Sequence, residues 1–257
     1  MPDAFTEFVY PGIETGCVAE VAALAARKGL PLSAAWAEFF RSRAILAPYN
    51  DDVEAINRAL LAKFPGDVTA YYSNDSVNVD QDVGFAPTEL LHTISVPGLP
   101  SHELRLKPNA IIMLMRNLSP ARGLCNGTRL RVLEVIARGR VLKATIISGS
   151  TQHLNTTVLL PRITIQADKS ELGFAWSRTQ FPVKLAFAMT LHKSQGQTLS
   201  RVGLWLERPC FAHGQLYVAL SRVGDSANLQ ICAVPDKDDG NFYTDNVVWS
   251  EALTNAS

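Results

Sequence analysis

Hydrophobic spacing changes several times along this chain, and each change predicts a different kind of structure. Across residues 17–26 the apolar positions Val18, Val21, Ala22 and Ala25 recur at helical spacing, with Arg27 and Lys28 in the last turn and Gly29 just beyond. Ser33 is placed to cap a second short helix that runs to Phe40 and carries Trp36, Phe39 and Phe40 along one side. Residues 1–12 show no period. Residues 44–47 form an unbroken apolar run closed by Pro48, the pattern of a buried strand. Asn50 or Asp51 can then cap a helix with Val53, Ile56, Leu60 and Leu61 on its apolar face. Strand, polar corner, helix is an arrangement in which a strand end offers side chains and free amides to a ligand. Taken alone, Asn50 reads equally well as a plain helix cap.

A strand is expected over residues 68–72, a polar acidic loop with Asp75, Asp80 and Asp82 over 74–86, and a short helix over 89–94. Pro97-Gly98-Leu99-Pro100 looks like a boundary. Beyond it the apolar runs are short: 104–107, 111–115, 129–135, 141–147 and 157–160. Asn126-Gly127, Arg138-Gly139 and Ser148-Gly149 punctuate them. Short strands crowded together with tight turns predict a small antiparallel barrel. From residue 181 an α/β pattern returns, with strands over 185–189, 202–206 and 229–234. A short polar helix or turn is expected over 191–197, and a helix over 214–221.

Composition narrows the function. Hydrophobic residues make up 47% of 257, enough for a sizeable core. Lys+Arg and Asp+Glu both count 24, so a nucleic-acid contact has to be a local patch. The barrel stretch supplies one in Arg105, Lys107, Arg116, Arg122, Arg129, Arg131, Arg138, Arg140, Lys143 and Arg162. Such a surface is either simply solvated or, as in many small basic barrels, binds nucleic acid. No apolar run approaches the roughly 20 residues of a membrane span, and no secretory leader is evident. The four dispersed cysteines and five histidines show no disulfide or metal spacing, so a reducing intracellular compartment is expected and no metal site.

The densest chemistry lies directly after the strand expected at 185–189. Thr190, His192, Lys193, Ser194, Gln195, Gln197 and Thr198 put hydroxyls, amides and a cation within nine residues, and Gly196 allows close approach to the backbone. Such a stretch is either a phosphate-binding corner or an ordinary polar turn. Arg222, at the end of the 214–221 helix, can pair locally or reach a phosphoryl group.

These two stretches, Thr190-Leu191-His192-Lys193-Ser194-Gln195-Gly196-Gln197-Thr198 and Gln215-Leu216-Tyr217-Val218-Ala219-Leu220-Ser221-Arg222-Val223, resemble motifs V and VI of the petite-integration-frequency (PIF-type) DNA helicases of superfamily one. Residues 44–57 resemble the first strand and helix of that family's second RecA-like domain. Residues 99–107, 113–118 and 123–130 resemble its inserted small barrel. The likeness extends over residues 43–234 and is shared with the helicase part of Helitron-type transposons.

The resemblance implies an α/β fold: a second RecA-like domain over 43–96 and 175–235, with an SH3-like antiparallel barrel inserted at 97–174. A helical lead-in would occupy 1–42 and a tail 236–257. It implies the C-terminal portion of an ATP-dependent DNA helicase, 5′ to 3′ in polarity, acting in DNA repair, recombination or telomere and genome maintenance, and nuclear in a eukaryote. Single-stranded or forked DNA and ATP with Mg²⁺ would be its ligands, and no membrane is involved. Arg222 would contact the γ-phosphate as a catalytic finger, with Gly196 and Gln197 near the nucleotide. Asn50, Thr190, His192 and Ser194 would line the DNA track, joined by Arg116, Asn126 and Arg129 from the barrel.

Two departures stand out. Tyr49 occupies the place where the family has Thr before Asn50. None of the sixteen glycines is followed by Lys, and no Asp-Glu pair occurs, so the phosphate loop and Mg²⁺ carboxylates of a first RecA-like domain are absent from this sequence. The chain alone is therefore expected to be inactive as an ATPase. A separately encoded first domain is one possible partner. The alternative is a non-catalytic nucleic-acid-binding remnant of a helicase or transposon.

Overall fold

The computed structural model describes residues 1–77, 88–94, 96, 98–167, 176–234, 244, 246 and 247. In chain order the elements are α1 (Asp3–Val9), α2 (Val18–Lys28), α3 (Leu32–Arg41), β1 (Arg43–Ala47), α4 (Asn50–Lys63), β2 (Thr69–Tyr72), β3 (Asn74–Val77), α5 (Thr88–Thr93), β4 (Glu103–Leu106), β5 (Ile111–Leu114), β6 (Arg129–Ile136), β7 (Val141–Ile146), β8 (Thr157–Pro161), β9 (Ile163–Ala167), β10 (Trp176–Gln180), β11 (Val183–Leu185), β12 (Ala188–Thr190), β13 (Arg201–Leu206), α6 (Gln215–Leu220) and β14 (Leu229–Ala233). They form two compact units, Met1–Pro65 with Ala186–Ser257, and Gly66–Leu185.

The first unit is built on a parallel sheet of order β12-β1-β13-β14. Ala44, Ile45, Leu46 and Ala47 are all fully buried. Successive strand residues face opposite sides, so both faces of β1 are covered, which is why its sequence is a continuous apolar run rather than an alternation. Tyr10, Phe40, Phe64 and Phe187 pack ring against ring in the core. The Tyr10 hydroxyl donates to the Phe187 carbonyl at 2.6 Å, so its polar end is satisfied inside. Residues 1–12, which carry no sequence period, contain α1. Its Phe5 and Val9 lie one turn apart and approach β13 at Gly203. A Cβ there would come within 2.7 Å of both side chains, so glycine sets how closely α1 can pack. Pro31, not Ser33, occupies the N-cap of α3. Proline's fixed φ suits it to a helix start.

The second unit contains a five-stranded antiparallel sheet of order β11-β5-β6-β7-β8, a three-stranded sheet β3-β10-β9 and the pair β2-β4. A register shift between Val132 and Glu134 interrupts the β6–β7 ladder. Among the described residues no pairing joins β8 to β11, so the five-stranded sheet does not close into a barrel. The expected acidic loop opens as strand β3, because Asp75 faces Arg178 on β10. Asp80, Asp82 and the rest of that loop lie outside the described residues, as does nearly all of the tail. Through β2–β4, β3–β10 and β11–β5 pairing, strands β2, β3, β10 and β11 group with the second unit rather than with the parallel sheet. The single strand expected at 185–189 is accordingly two, β11 in one unit and β12 in the other.

A buried ion pair anchors this second core. The Arg178 guanidinium holds the Asp75 carboxylate at 2.8 and 3.0 Å and donates to the carbonyls of Leu91 and Pro100 at 2.7 and 3.1 Å. Both side chains are essentially sealed from solvent. A buried charge is tolerable only when it is paired and hydrogen-bonded in this way. Leu91, Leu99, Ile165, Ala167 and Trp176 form a buried cluster of this unit, and the Arg178 guanidinium lies over the Trp176 ring at 5.0 Å.

Candidate nucleic-acid interface

All four strands of the parallel sheet run the same way, so their carboxyl ends share one edge. β12 and β1 are in register there, with Ala47 opposite Thr190. The chain leaving β1 returns at β12 on one side, while the chain leaving β13 returns at β14 on the other. Loops diverge at this point, and open α/β sheets bind ligands in the crevice so formed.

Asn50 is exposed at the start of α4. The N-cap is Tyr49, and its side chain makes no capping hydrogen bond. Thr190 is half-buried and leads into a 3-10 turn, Leu191–Ser194, on which His192 and Lys193 are exposed. Ser194 is different. It is fully buried, and its hydroxyl donates to the Leu191 carbonyl at 2.7 Å. It closes the turn rather than facing a DNA track, a correction that residue type alone could not supply. Gly196 has φ +76° with open space where a side chain would stand. The Gln197 amide donates to the Lys193 carbonyl at 2.8 Å.

Arg222 does not project outward. Its Nε donates to the Val218 carbonyl at 2.8 Å, Nη1 to the carbonyls of Ser194 and Gln197 at 3.3 and 3.1 Å, and Nη2 to the Ser221 hydroxyl at 2.9 Å. The guanidinium thus ties the end of α6 to the polar corner.

Two buried amides escaped the sequence reading. Gln215 is 4% exposed; its Oε1 accepts from the backbone N–H of Phe211 and Ala212, and its Nε2 lies 3.4 Å from His192 Nε2. Asn57 donates to the Ala188 carbonyl at 3.0 Å and accepts from the Ala188 N–H at 2.9 Å. The available signal was an amide in line with apolar neighbours: Asn57 with Val53, Leu60 and Leu61 on α4, and Gln215 at the head of the apolar α6.

In the second unit, Arg116 and Asn126 are both exposed. The Asn126 backbone N–H donates to Asn117 Oδ1 at 2.8 Å, which joins their two loops. Arg129 is a correction, because it is fully buried on β6 and its charge does not reach the surface. Of the ten basic residues, Arg105 pairs with Glu103, Lys143 pairs with Glu134, and Arg131 holds Asn109. Arg116, Arg122, Arg138 and Arg140 stay exposed.

Asp75, His92 and His102 bring three ligand atoms within 4.8 Å of one another despite their distant sequence positions. The two imidazoles are stacked, with centroids 3.7 Å apart and planes 13° from parallel. In-plane lone pairs of stacked rings run side by side rather than converging on one ion, and Arg178 already holds the carboxylate. Burial, then the neighbouring His92, lowers the His102 pKa.

A cavity of about 420 Å³ lies at the amino ends of β1 and β13, lined by Glu20, Arg27, Arg43 and Arg201 among others. It is at the opposite end of the strands from the polar corner.

Residues 89–135 match the sequence profile of the 2B domain of DNA helicase Pif1. The human ATP-dependent DNA helicase PIF1 (Homo sapiens) is 38% identical over 187 residues, which is 72% of this chain and 26% of the human protein. The chain is related to the Pif1-type DNA helicases. The fold agrees. Pif1 from Bacteroides in complex with ADP-AlF3 and ssDNA superimposes with a TM-score of 0.59 at 21% identity, over 99% of this chain and 53% of that one. A Pif1 structure described as showing DNA unwinding at forked dsDNA by two coordinating helicases gives 0.59 at 22% identity, over 98% of this chain and 49% of that one. Among the described residues no helix is long and apolar enough to cross a membrane.

Proposed function

We propose that this chain is the strand-tracking part of an ATP-dependent, Pif1-type DNA helicase. The observation that carries the reading is the shared corner. Asn50 and Thr190 stand at adjacent carboxyl strand ends, in register through Ala47 and Thr190, with His192 exposed beside them. Amide, hydroxyl and imidazole groups side by side suit the sugar-phosphate backbone of a single strand. Arg116 and Asn126 would guide DNA on the second unit, whose five-stranded sheet, although not closed, we assign to the inserted SH3-like module. The relatives support these ligands: one solved Pif1 holds ssDNA, and another is described at a DNA fork.

The corner fits a nucleotide in part. Gly196 leaves its backbone open to approach, and Arg222 supplies a cation whose carbonyl partners, Ser194 and Gln197, could be exchanged for phosphate oxygens, which are stronger acceptors. Bound ATP would supply the free energy of strand translocation. Residues 190–198 offer no carboxylate for Mg²⁺, and no Gly-Lys pair occurs in the sequence. The phosphate cradle and metal ligands would therefore belong to a first motor domain. That same absence favours, as the second reading, a nucleic-acid-binding protein without catalysis.

Fluorescence anisotropy with a labelled oligo-dT tests the reading. Binding is expected to weaken as salt rises, with a log–log slope of about −0.7 per phosphate neutralised. ATP turnover is expected to stay at background until a domain bearing the Gly-Lys-Thr loop is added. Salt-independent binding would remove the nucleic-acid role. DNA-stimulated turnover by the purified chain would overturn the division of labour. Failure of the added domain to confer turnover would favour the second reading.

A further inference from the structure

The carboxyl edge of the parallel sheet also carries an aromatic cluster that none of the roles above uses. The loop after β13 brings Phe211 against Tyr49, with ring centroids 4.9 Å apart and planes tilted by 37°. Arg208 lies over the Tyr49 ring at 3.9 Å, and a two-point ion pair with Asp52, at 2.7 and 3.1 Å, fixes it there. Tyr49 is thus packed on by a cation and by a second ring, while Phe211 remains 53% exposed.

Phe211 is exposed but not loose. Buried Gln215 accepts from the backbone N–H of Phe211 and Ala212 at 3.1 and 3.2 Å, and the same amide stands 3.4 Å from the imidazole of His192. One glutamine therefore links the aromatic loop to the polar corner. A ring held by its neighbour and by its own backbone loses little freedom when a ligand covers it, which favours binding. Its position also matters. Tyr49 follows β1 and Phe211 follows β13, the two adjacent strands whose loops diverge.

We propose that Phe211, seated on Tyr49, is a stacking platform for one base of a single-stranded nucleic acid whose backbone runs over Asn50, Thr190 and His192. The proposal deepens the nucleic-acid reading and rests on it. Every base has a π-face, so stacking of this kind grips a strand without reading its sequence. It also gives Tyr49 a role, since an aromatic ring rather than a small hydroxyl is what supports Phe211. The rival occupant is the surface of another protein domain laid over the ring.

The test uses the full chain with two labelled oligomers of equal length, oligo-dT and one whose sugars carry no bases. Phe211→Ala is expected to weaken oligo-dT binding by about 5- to 150-fold, the range for loss of one stacked base. It should leave binding to the abasic oligomer unchanged. Phe211→Trp should restore the oligo-dT affinity, and circular dichroism should show all variants folded, as an exposed ring allows. Wild-type affinity for oligo-dT in Phe211→Ala would assign the ring to a protein surface and overturn the platform. Equal losses on both oligomers would mean that the loop had collapsed, and would overturn it too. If the wild-type chain binds neither oligomer, the nucleic-acid reading itself fails, an outcome distinct from the other two.

Discussion

His102 shows how burial at a single residue becomes a pH dependence. Its imidazole stacks on His92 and its Nδ1 lies 2.8 Å from the Ser73 hydroxyl, which in turn donates to Asp75. Burial, and then repulsion from His92, lowers its pKa from the ordinary 6.5, although Asp75 and Glu103 pull the other way. A depressed histidine pKa means that the unfolded chain binds the proton more readily than the folded one. The resulting stability is present above pH 6.5 and is lost as pH falls through the folded-state value. Asp75 acts lower on the scale. Burial pushes its carboxyl up, but hydrogen bonds from Arg178 and Ser73 outweigh this and hold it below 3.8. Its share of stability therefore persists until strong acid. The melting temperature is expected to drop between pH 7.5 and 5, and His102→Gln should flatten that drop while leaving the strong-acid limb in place. An unchanged profile in the variant would assign the mid-range titration to another group. The same residue-level physics separates the legible from the illegible part of the site. Asn50, His192 and Gly196 are exposed as their types imply, whereas Ser194 and Arg129, equally suitable by type, are buried. Residue type gives chemistry, but burial decides whether that chemistry is offered to a ligand.

At the scale of elements, β12 is a strand of only three residues at one side of the parallel sheet, yet the polar corner begins at its last residue, Thr190. Asn57 on α4 makes two hydrogen bonds to Ala188 and so fixes this strand against the helix. Asn57→Ala would leave a buried N–H and C=O without partners, at a cost of about 2–4 kcal/mol. Urea denaturation should show this as a lower midpoint, and amide exchange should quicken at residues 188–190. A loss below about 0.5 kcal/mol would mean that the ladder to β1 holds the corner alone. β12 was also where the sequence misled. Residues 185–189 read as one buried strand, but the chain passes from the antiparallel sheet to the parallel one within it, and periodicity carries no mark of such a crossing. β1, α2 and β13 were legible because each lies wholly within one sheet or helix and keeps a single pattern. α1 was not, since a helix of seven residues spans only about two turns, too short a stretch for Phe5, Phe8 and Val9 to establish a period.

Across the whole molecule, the first unit takes β1 from one segment of chain and β12, β13 and β14 from another, while the second unit is continuous. Each has its own core: an aromatic group around Tyr10, Phe40 and Phe187 in the first, and Trp176 with the Arg178–Asp75 pair in the second. A lesion confined to one core should therefore act locally, as expected when stability is distributed over separate cooperative units. Gly203→Ala provides the lesion. The added methyl would meet Phe5 and Val9 at 2.7 Å, far inside contact distance, so α1 or β13 must shift. Such overpacking costs about 1–3 kcal/mol. Hydrogen exchange should then lose protection in β1, β12 and β13, while β5, β6 and β7 keep theirs. Binding that depends on Asn50, Thr190 and His192 should weaken with it, since all three are carried by the perturbed sheet, whereas Arg116 and Asn126 on the intact second unit should retain their share. If β5–β7 lose protection in proportion, the two cores form one cooperative unit. The corner and the basic surface would then be coupled through folding, and a mutation in either unit would be felt in both.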